Sequence, residues 1–138
     1  MSSYVGFSVP GEARGKARPR VTRGGAHTYT PDPGGFVERV TAHAVEAGLQ
    51  ARADYEGGVE VSVLIGRAMP KGWSKKRKAE MEGEPSLVKP DANNVLGAVL
   101  DALNRVAFRD DAQVYWVRAQ RAWAYEHSVH VGITYSDT

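Results

Sequence analysis

Most of the fold is decided by KPDANN at residues 89–94, VLGAVLDAL at 95–103 and FRDDAQV at 108–114. Asp91 lies just ahead of an amphipathic helical segment, and the pair Asp110-Asp111 lies just ahead of a segment typical of a strand. Because two such element ends can converge on one point in space, these carboxylates are candidates for a divalent-metal site. In a chain rich in Arg and Lys, this pattern favours metal-dependent chemistry on a polyanion.

The composition predicts one soluble domain that spans residues 1–138. Hydrophobic residues make up 42% of the chain, which is enough for a single core. The absence of cysteine excludes disulfides, thiolate zinc sites and a cysteine nucleophile. No apolar run approaches the roughly 18 residues that span a bilayer, and no apolar leader is present. We therefore expect a cytoplasmic protein that does not contact membranes.

The charge of the chain is small overall but unevenly distributed. The formal net charge is +2, yet no acidic residue occurs within residues 13–31 or 61–79. Both stretches contain several basic residues, and carboxylates occur further along the chain, at 91, 101, 110 and 111. Basic blocks around a few acids indicate phosphate binding around a metal centre.

The hydrophobic periodicity predicts an α+β fold. Alternating apolar residues indicate strands at 4–9, 59–65, 114–123 and 127–135. Helical spacing indicates helices at 36–51 and 95–104, and Ser74 is a candidate N-cap for a short basic helix that ends near residue 81. The two-residue gap at 125–126 predicts a hairpin-like return between the last two strands. We expect a mixed sheet of about four strands packed by two or three helices, with a long Gly/Pro/Arg-rich loop at about 10–35.

Several short motifs resemble the RusA family of Holliday junction resolvases. The segments KPDANN, VLDALN and DDAQV resemble the family hallmark, and they follow one another in the family's order. Three further segments also match: GKARPR at 15–20, TYTP at 28–31 and PKGWS at 70–74. The resemblance covers roughly residues 8–123 and rests on independent matches in order.

The resemblance implies a RusA-like fold and a specific activity. Members of the family are small homodimeric endonucleases, common in phages and prophages, that bind four-way DNA junctions during recombination and repair. They nick two opposed strands with Mg2+ or Mn2+ held by three aspartates. On this chain the first aspartate is Asp91, the second falls on Asn93, and the third lies in the pair Asp110-Asp111, with Asp111 preferred. The implied setting is the cytoplasm of a bacterial host.

Two positions depart from the family pattern. Asn93 stands in place of an aspartate, and Gly97, four residues later, stands in place of a lysine. Residues four apart share one helix face, so this face presents a neutral amide and no ammonium. An amide oxygen can bind Mg2+ but brings no charge, which weakens metal binding and water activation. Three explanations stay open: Asn93 was introduced to trap an inactive complex, the protein has become a binding protein, or nearby Asp110, Lys71 or Lys89 compensates.

The acidic residues also have structural interpretations. Asp91 follows a proline and precedes a helix, as a simple N-cap residue does. Asp110 and Asp111 are also compatible with a turn ahead of a strand, with Asp110 as an auxiliary to the ligand Asp111. Asp101 lies in mid-helix, and we interpret it as a structural or solvated carboxylate.

The basic residues are candidates for DNA contacts. Arg side chains in a flexible glycine-rich loop can follow a phosphate backbone and order on binding. Such contacts position a duplex without reading its bases, so selectivity would come from the shape of the junction. The candidates are Lys16, Arg18, Arg20, Arg23, Lys71, Lys75, Lys76 and Lys89.

The sequence therefore predicts a structure-selective, metal-dependent DNA endonuclease whose activity is impaired by Asn93 and Gly97. The main alternative is a non-catalytic protein that binds branched DNA on the same scaffold. That alternative predicts a salt-sensitive junction affinity, no metal requirement and no cleavage. A weaker alternative is a single-strand or RNA-binding module, which would interleave exposed aromatic residues with the basic ones.

Overall fold

The computed structural model describes residues 2–25 and 27–136. This part of the chain forms six strands and three α-helices, with short 3-10 turns at Pro33–Gly35, Leu49–Arg52 and Asp111–Gln113. In chain order the elements are β1 (Ser3–Pro10), β2 (Arg20–Val21), β3 (Thr28–Tyr29), α1 (Phe36–Glu46), β4 (Val59–Ala68), α2 (Lys75–Met81), α3 (Ala92–Leu103), β5 (Val114–Ala124) and β6 (Ser128–Tyr135).

The main sheet is mixed and has the strand order β1-β6-β4-β5. β6 pairs antiparallel with both β1 and β4, whereas β4 and β5 are parallel and begin together at the pair Val59 and Val114. A parallel pair needs a crossover connection, which α2 and α3 supply here. α3 therefore runs back along the sheet, from the end where β4 finishes to the end where β5 begins. The predicted α+β architecture with a mixed four-stranded sheet is confirmed.

The core lies between one face of this sheet and the helices α1 and α3. The alternating residues of β4, Val59, Val61, Val63 and Ile65, are all buried, as their period of two predicts. α3 contributes the buried stripe Val95, Ala98, Val99, Ala102 and Leu103. This stripe fixes the rotation of α3 and leaves the opposite side of the helix exposed.

The predicted hairpin between the last two strands is wrong, because β4 lies between β5 and β6. The connecting residues pass over the end of β4, where the Ala68 amide donates to Nδ1 of His127 at 3.1 Å. His127 thus has a structural role, while His130 contacts the hydroxyls of Tyr4 and Ser8. Alternation along a strand identifies its buried face but not its neighbour, which is why the sequence favoured the shorter connection.

The region at 10–35 is more ordered than the predicted loop. Within it, β2 and β3 form a small antiparallel pair in which Arg20 lies opposite Tyr29. The helix predicted at 36–51 ends at Glu46, and Gly48 follows with a left-handed backbone (φ 85°) ahead of a 3-10 turn. In the part of the chain that the structure describes, no helix combines the length and apolar character needed to cross a membrane.

Candidate metal and DNA site

Asp91 occupies the N-cap position of α3, but its side chain makes no capping hydrogen bond. Its backbone is extended (φ −66°, ψ 147°), and the residue is exposed. A carboxylate in this position usually accepts a bond from an amide of the first helical turn. Asp91 thus has the position of an N-cap residue but does not form the capping hydrogen bond. Its carboxylate is therefore available for a ligand.

An open cleft beside Asp91 brings together charged residues from three separate segments. Arg67, near the end of β4, donates to Glu12 Oε1 at 3.2 Å and to the Lys89 carbonyl at 3.1 Å. These bonds tie the exit of β1 and the loop before α3 to the end of β4, and all of these residues line the cleft with Asp91. Glu12 was not predicted as a site residue, since no motif in the sequence marks it.

Asn93 and Asn94 lie on the exposed first turn of α3, next to Asp91. The Asn94 carbonyl accepts a hydrogen bond from the Lys16 amide at 2.9 Å. This end of α3 therefore combines one free carboxylate, two amide side chains and the start of the basic segment. These are the hard oxygen ligands and the cations that a metal and a phosphate prefer.

The acidic pair is built differently. Asp110 caps the turn before β5: its carboxylate accepts from the Ala112 amide at 3.3 Å, and its own amide donates to Oε1 of Gln113 at 2.7 Å. The Gln113 side chain also donates to the carbonyls of Tyr55 and Gly57, at 2.6 and 2.9 Å. Asp110 and Gln113 thus fix the chain locally, a role that a capping box explains without any ligand.

Asp111 has its backbone engaged and its carboxylate free. Its amide donates to Oδ1 of Asn104, the residue that ends α3, at 3.1 Å. With the residues described here, the Asp111 carboxylate makes no hydrogen bond or ion pair. Of the two acids, Asp111 is therefore the one whose side chain can bind a metal, and it lies at the C-terminal end of α3.

Asp91 and Asp111 do not converge within one chain. From Asp91 to Asn104 a helix rise of about 1.5 Å per residue gives a separation of about 20 Å. A Mg2+ ion needs its oxygen ligands at about 2.1 Å, so one ion cannot join both carboxylates of one chain. No group of three His, Asp or Glu side chains able to hold a metal exists within residues 2–25 and 27–136. The expected convergence of the two element ends is thus wrong for a single subunit, because α3 holds them apart.

The candidate DNA-binding residues lie mostly on exposed surface. Ser74 caps α2 by accepting from the Arg77 amide at 3.1 Å, as predicted, and the basic residues of that helix are exposed except for Lys78, which is half-buried. The DNA-binding candidates form two groups. Lys16, Arg18, Arg20 and Arg23 lie in the segment that passes the Asp91 cleft, and Lys71, Lys75 and Lys76 lie beyond the end of β4. Lys89 lines the cleft itself.

The cation that lies above Gly97 is Lys16, a predicted DNA contact that was not among the lysines expected to compensate for Gly97. Lys71 follows β4 and Lys89 precedes Asp91, whereas Lys16 Cδ lies 3.3 Å from the position of a Cβ on residue 97. The Lys16 ammonium pairs with Asp101 at 3.2 Å. Asp101 is thus a half-exposed carboxylate, in agreement with the solvated interpretation.

Comparison with known proteins assigns this chain to one family. The family model of the endodeoxyribonuclease RusA matches residues 10–134, which is nearly the whole chain. The chain is also 30% identical over 135 residues to the uncharacterized protein YqaN of Bacillus subtilis strain 168, covering 94% of each protein. The chain belongs to the RusA family of endodeoxyribonucleases.

Proposed function

We propose that this protein is a homodimeric endonuclease that resolves four-way DNA junctions by Mg2+- or Mn2+-dependent phosphodiester hydrolysis. The observation that carries the proposal is the Asp91 carboxylate, which lies at the start of α3 without a capping bond and faces a cleft lined by Arg67 and Lys89. The family supports endonuclease activity in general. The proposal places the protein in the cytoplasm of a bacterial host, encoded by a phage or prophage.

The metal in this proposal is bound between two subunits. A single chain does not fit the ion, because its free carboxylates lie at opposite ends of α3. Asp91 and the Asn93 amide of one subunit, together with Asp111 of the partner subunit, make a set of oxygen ligands suited to Mg2+. A divalent ion held there would activate water and neutralise the charge on a phosphate.

The free edge of β5 supports such a dimer. β5 pairs with β4 on one side. On its other side, among the residues that the structure describes, the segment 83–86 covers the end of the strand at 121–123, where the Gly83 amide donates to the Trp123 carbonyl. The remaining edge exposes Tyr115, Trp116 and Val117. An exposed apolar edge strand is a template for pairing with another chain.

Pairing of β5 with its own copy would bring the two half-sites together. A two-fold axis pairs identical edge strands antiparallel, so pairing along the free part of the edge, residues 114–120, would place the start of one β5 next to the covered end of the other. Asp111 lies three residues before the start. At the end, Arg121 donates to the Val88 carbonyl at 3.3 Å, three residues before Asp91. Asp91 and Asp111, which lie far apart within one chain, would therefore lie close together across the dimer.

The competing function is junction binding without cleavage. Asn93 favours it, since the site then contains two carboxylates and one neutral amide where the family pattern has three carboxylates. Both functions use the same exposed cations for the DNA backbone, so both predict an affinity that falls steeply with salt. Only cleavage separates them.

The test is cleavage of a labelled four-way junction with Mg2+ or Mn2+, comparing this chain with Asn93→Asp. Cleavage by this chain shows that an amide ligand suffices. Cleavage by Asn93→Asp alone shows a nuclease that is silenced at one ligand. If both proteins bind the junction and neither cuts it, the binding function is correct and the nuclease proposal fails. Asp91→Asn, which should not cut in either background, is the control for contaminating nucleases.

A further inference from the structure

The segment that follows β1 lies directly on the exposed side of α3. The Lys16 amide donates to the Asn94 carbonyl at 2.9 Å. A Cβ on Gly15 would lie 2.9 Å from the Cβ of Asn94, and a Cβ on Gly97 would lie 3.3 Å from Lys16 Cδ. Side chains at these two glycines would hold the segment away from the helix. Because both are glycine, the Lys16 side chain lies against α3 and fills the space above Gly97.

The Lys16 side chain ends on a carboxylate from which it can be released. Its ammonium lies 3.2 Å from Asp101 Oδ2, and the two side chains are 51% and 44% exposed. Water and salt screen an ion pair this exposed, so it contributes little to the stability of the fold. An incoming phosphate can therefore replace Asp101 as the partner of the ammonium at small cost.

Lys16 supplies a positive charge that α3 lacks. Residues 92–103 include no Lys or Arg, and Asp101 is their only charged residue. Lys16 Cβ lies 3.6 Å from the position of a Cβ on Gly97, which is one helical turn, about 6 Å of rise, from both Asn93 and Asp101. The side chain thus starts midway and can be directed toward either end of the exposed side. One of those ends is the first turn beside Asp91, where the helix dipole favours an anion.

We propose that Lys16 is the phosphate-binding cation of the Asp91 site and that Asp101 stores it in the free protein. When DNA binds, a phosphate at the first turn of α3 replaces Asp101, and the ammonium moves from the third turn of the helix to the first. Gly97 permits this movement, since a side chain there would lie in its path. The inference rests on the proposed function, because the phosphate is that of the DNA substrate.

A relocation of the charge tests the assignment in the 138-residue chain. Lys16→Ala removes the ammonium, and K16A/G97K returns one to the same side of α3. The background is this chain if it cuts, and otherwise its Asn93→Asp variant. In that background, single-turnover cleavage of a labelled junction with Mn2+ should fall at least about 10-fold in Lys16→Ala and recover to within about 3-fold in K16A/G97K. K16A/G97A is the matched control, because it adds the same Cβ and helix propensity without charge, and it should stay slow. Parent-like cleavage by Lys16→Ala, or equal recovery in both double variants, overturns the assignment.

Junction affinity provides a second readout that needs no cleavage. In Ca2+, Asp101→Asn should tighten junction binding about 3-fold when Lys16 is present, because it releases the stored cation. The same substitution made in Lys16→Ala should tighten junction binding distinctly less. Equal tightening in both backgrounds would show only a general loss of negative charge and would refute storage by Asp101. If neither this chain nor Asn93→Asp cuts, the nuclease proposal fails, and the affinity cycle still decides the role of Lys16.

Discussion

The two ends of α3 carry the same sequence signal, an acidic residue just ahead of a secondary-structure element, but use it differently. At the C-terminal end, the Asp110 carboxylate accepts a hydrogen bond from the Ala112 amide, and Asp110 forms a capping box with Gln113. At the N-terminal end, Asp91 occupies the capping position and makes no such bond. An acid whose carboxylate satisfies a backbone amide stabilises the fold, whereas an acid without that task is available for a ligand.

The two ends of α3 also differ in how they are held in place. The acidic turn is fixed by one side chain, Gln113, which binds two carbonyls of the segment before β4. The Asp91 end is assembled from distant segments through Arg67 and Lys16, and its cleft is open, with Lys16 and Lys89 exposed. A site that must admit DNA needs this openness, while the turn that positions Asp111 needs to be rigid. In the proposed dimer, one end of α3 would bind substrate and metal, and the other would present a single ligand to the second subunit.

The largest expected effect concerns the separation of the two acids. Asp91→Asn and Asp111→Asn should each reduce junction cleavage at least about 100-fold, because each removes one anionic ligand. If every site takes Asp91 from one subunit and Asp111 from the other, a mixed dimer contains one doubly changed site and one intact site. Mixing the two inactive proteins under conditions of subunit exchange should therefore restore nicking of one strand.

The matched control is each variant carried through the same exchange alone, at the same total concentration. Native mass spectrometry confirms that mixed dimers have formed. A mixture that contains mixed dimers but does not nick would mean that both acids act in one site of one chain. Such a result would break the comparison, since the two ends of α3 would then have to meet by a rearrangement of the chain.

The second prediction concerns the edge of β5. Val117→Lys places a charge at the centre of an exposed apolar edge and should raise the dissociation constant of the dimer at least about 10-fold, with a parallel loss of cleavage. Val45→Lys on α1 is the control, because Val45 is exposed to a similar extent (39% against 45%) and lies away from this edge. Sedimentation velocity measures both. A Val117→Lys dimer as tight as the parent would exclude this edge as the interface.

The sequence predicted the elements and the family but not the distances between them. Period-two burial of Val59 to Ile65 and the apolar stripe of α3 are local patterns, and both are confirmed. The position of β4 between β5 and β6 depends on pairings between residues far apart in the chain, which alternation does not encode. Likewise, Gly97 was identified as a missing lysine, but only the fold shows that Lys16 lies over it, 81 residues earlier in the chain.

The third prediction compares the arginines at the two ends. Arg67 binds Glu12 and the Lys89 carbonyl and is mostly buried, whereas the Arg109–Glu56 pair is exposed. Arg67→Met should lower the free energy of unfolding by about 1–2 kcal/mol, since two hydrogen bonds of a partly buried guanidinium are lost and solvent screens part of their strength. Arg109→Met should change it by less than about 1 kcal/mol. Urea unfolding measures both, and similar losses would show that the Asp91 end is not held together by Arg67.

The smallest expected effect separates the two neighbouring acids, Asp110 and Asp111. Asp110→Ala removes the acceptor of the Ala112 amide and should cost about 0.5–2 kcal/mol of stability, whereas Asp111→Ala should cost less than about 0.5 kcal/mol because its carboxylate has no partner among the described residues. For cleavage the order reverses: Asp111→Ala should be inactive, and Asp110→Ala should stay within about 10-fold of the parent. Urea unfolding and junction cleavage on the same two proteins give both orders. If Asp110→Ala keeps its stability and loses its cleavage, then Asp110 is the ligand, and the capping box seen in the free chain opens when metal binds.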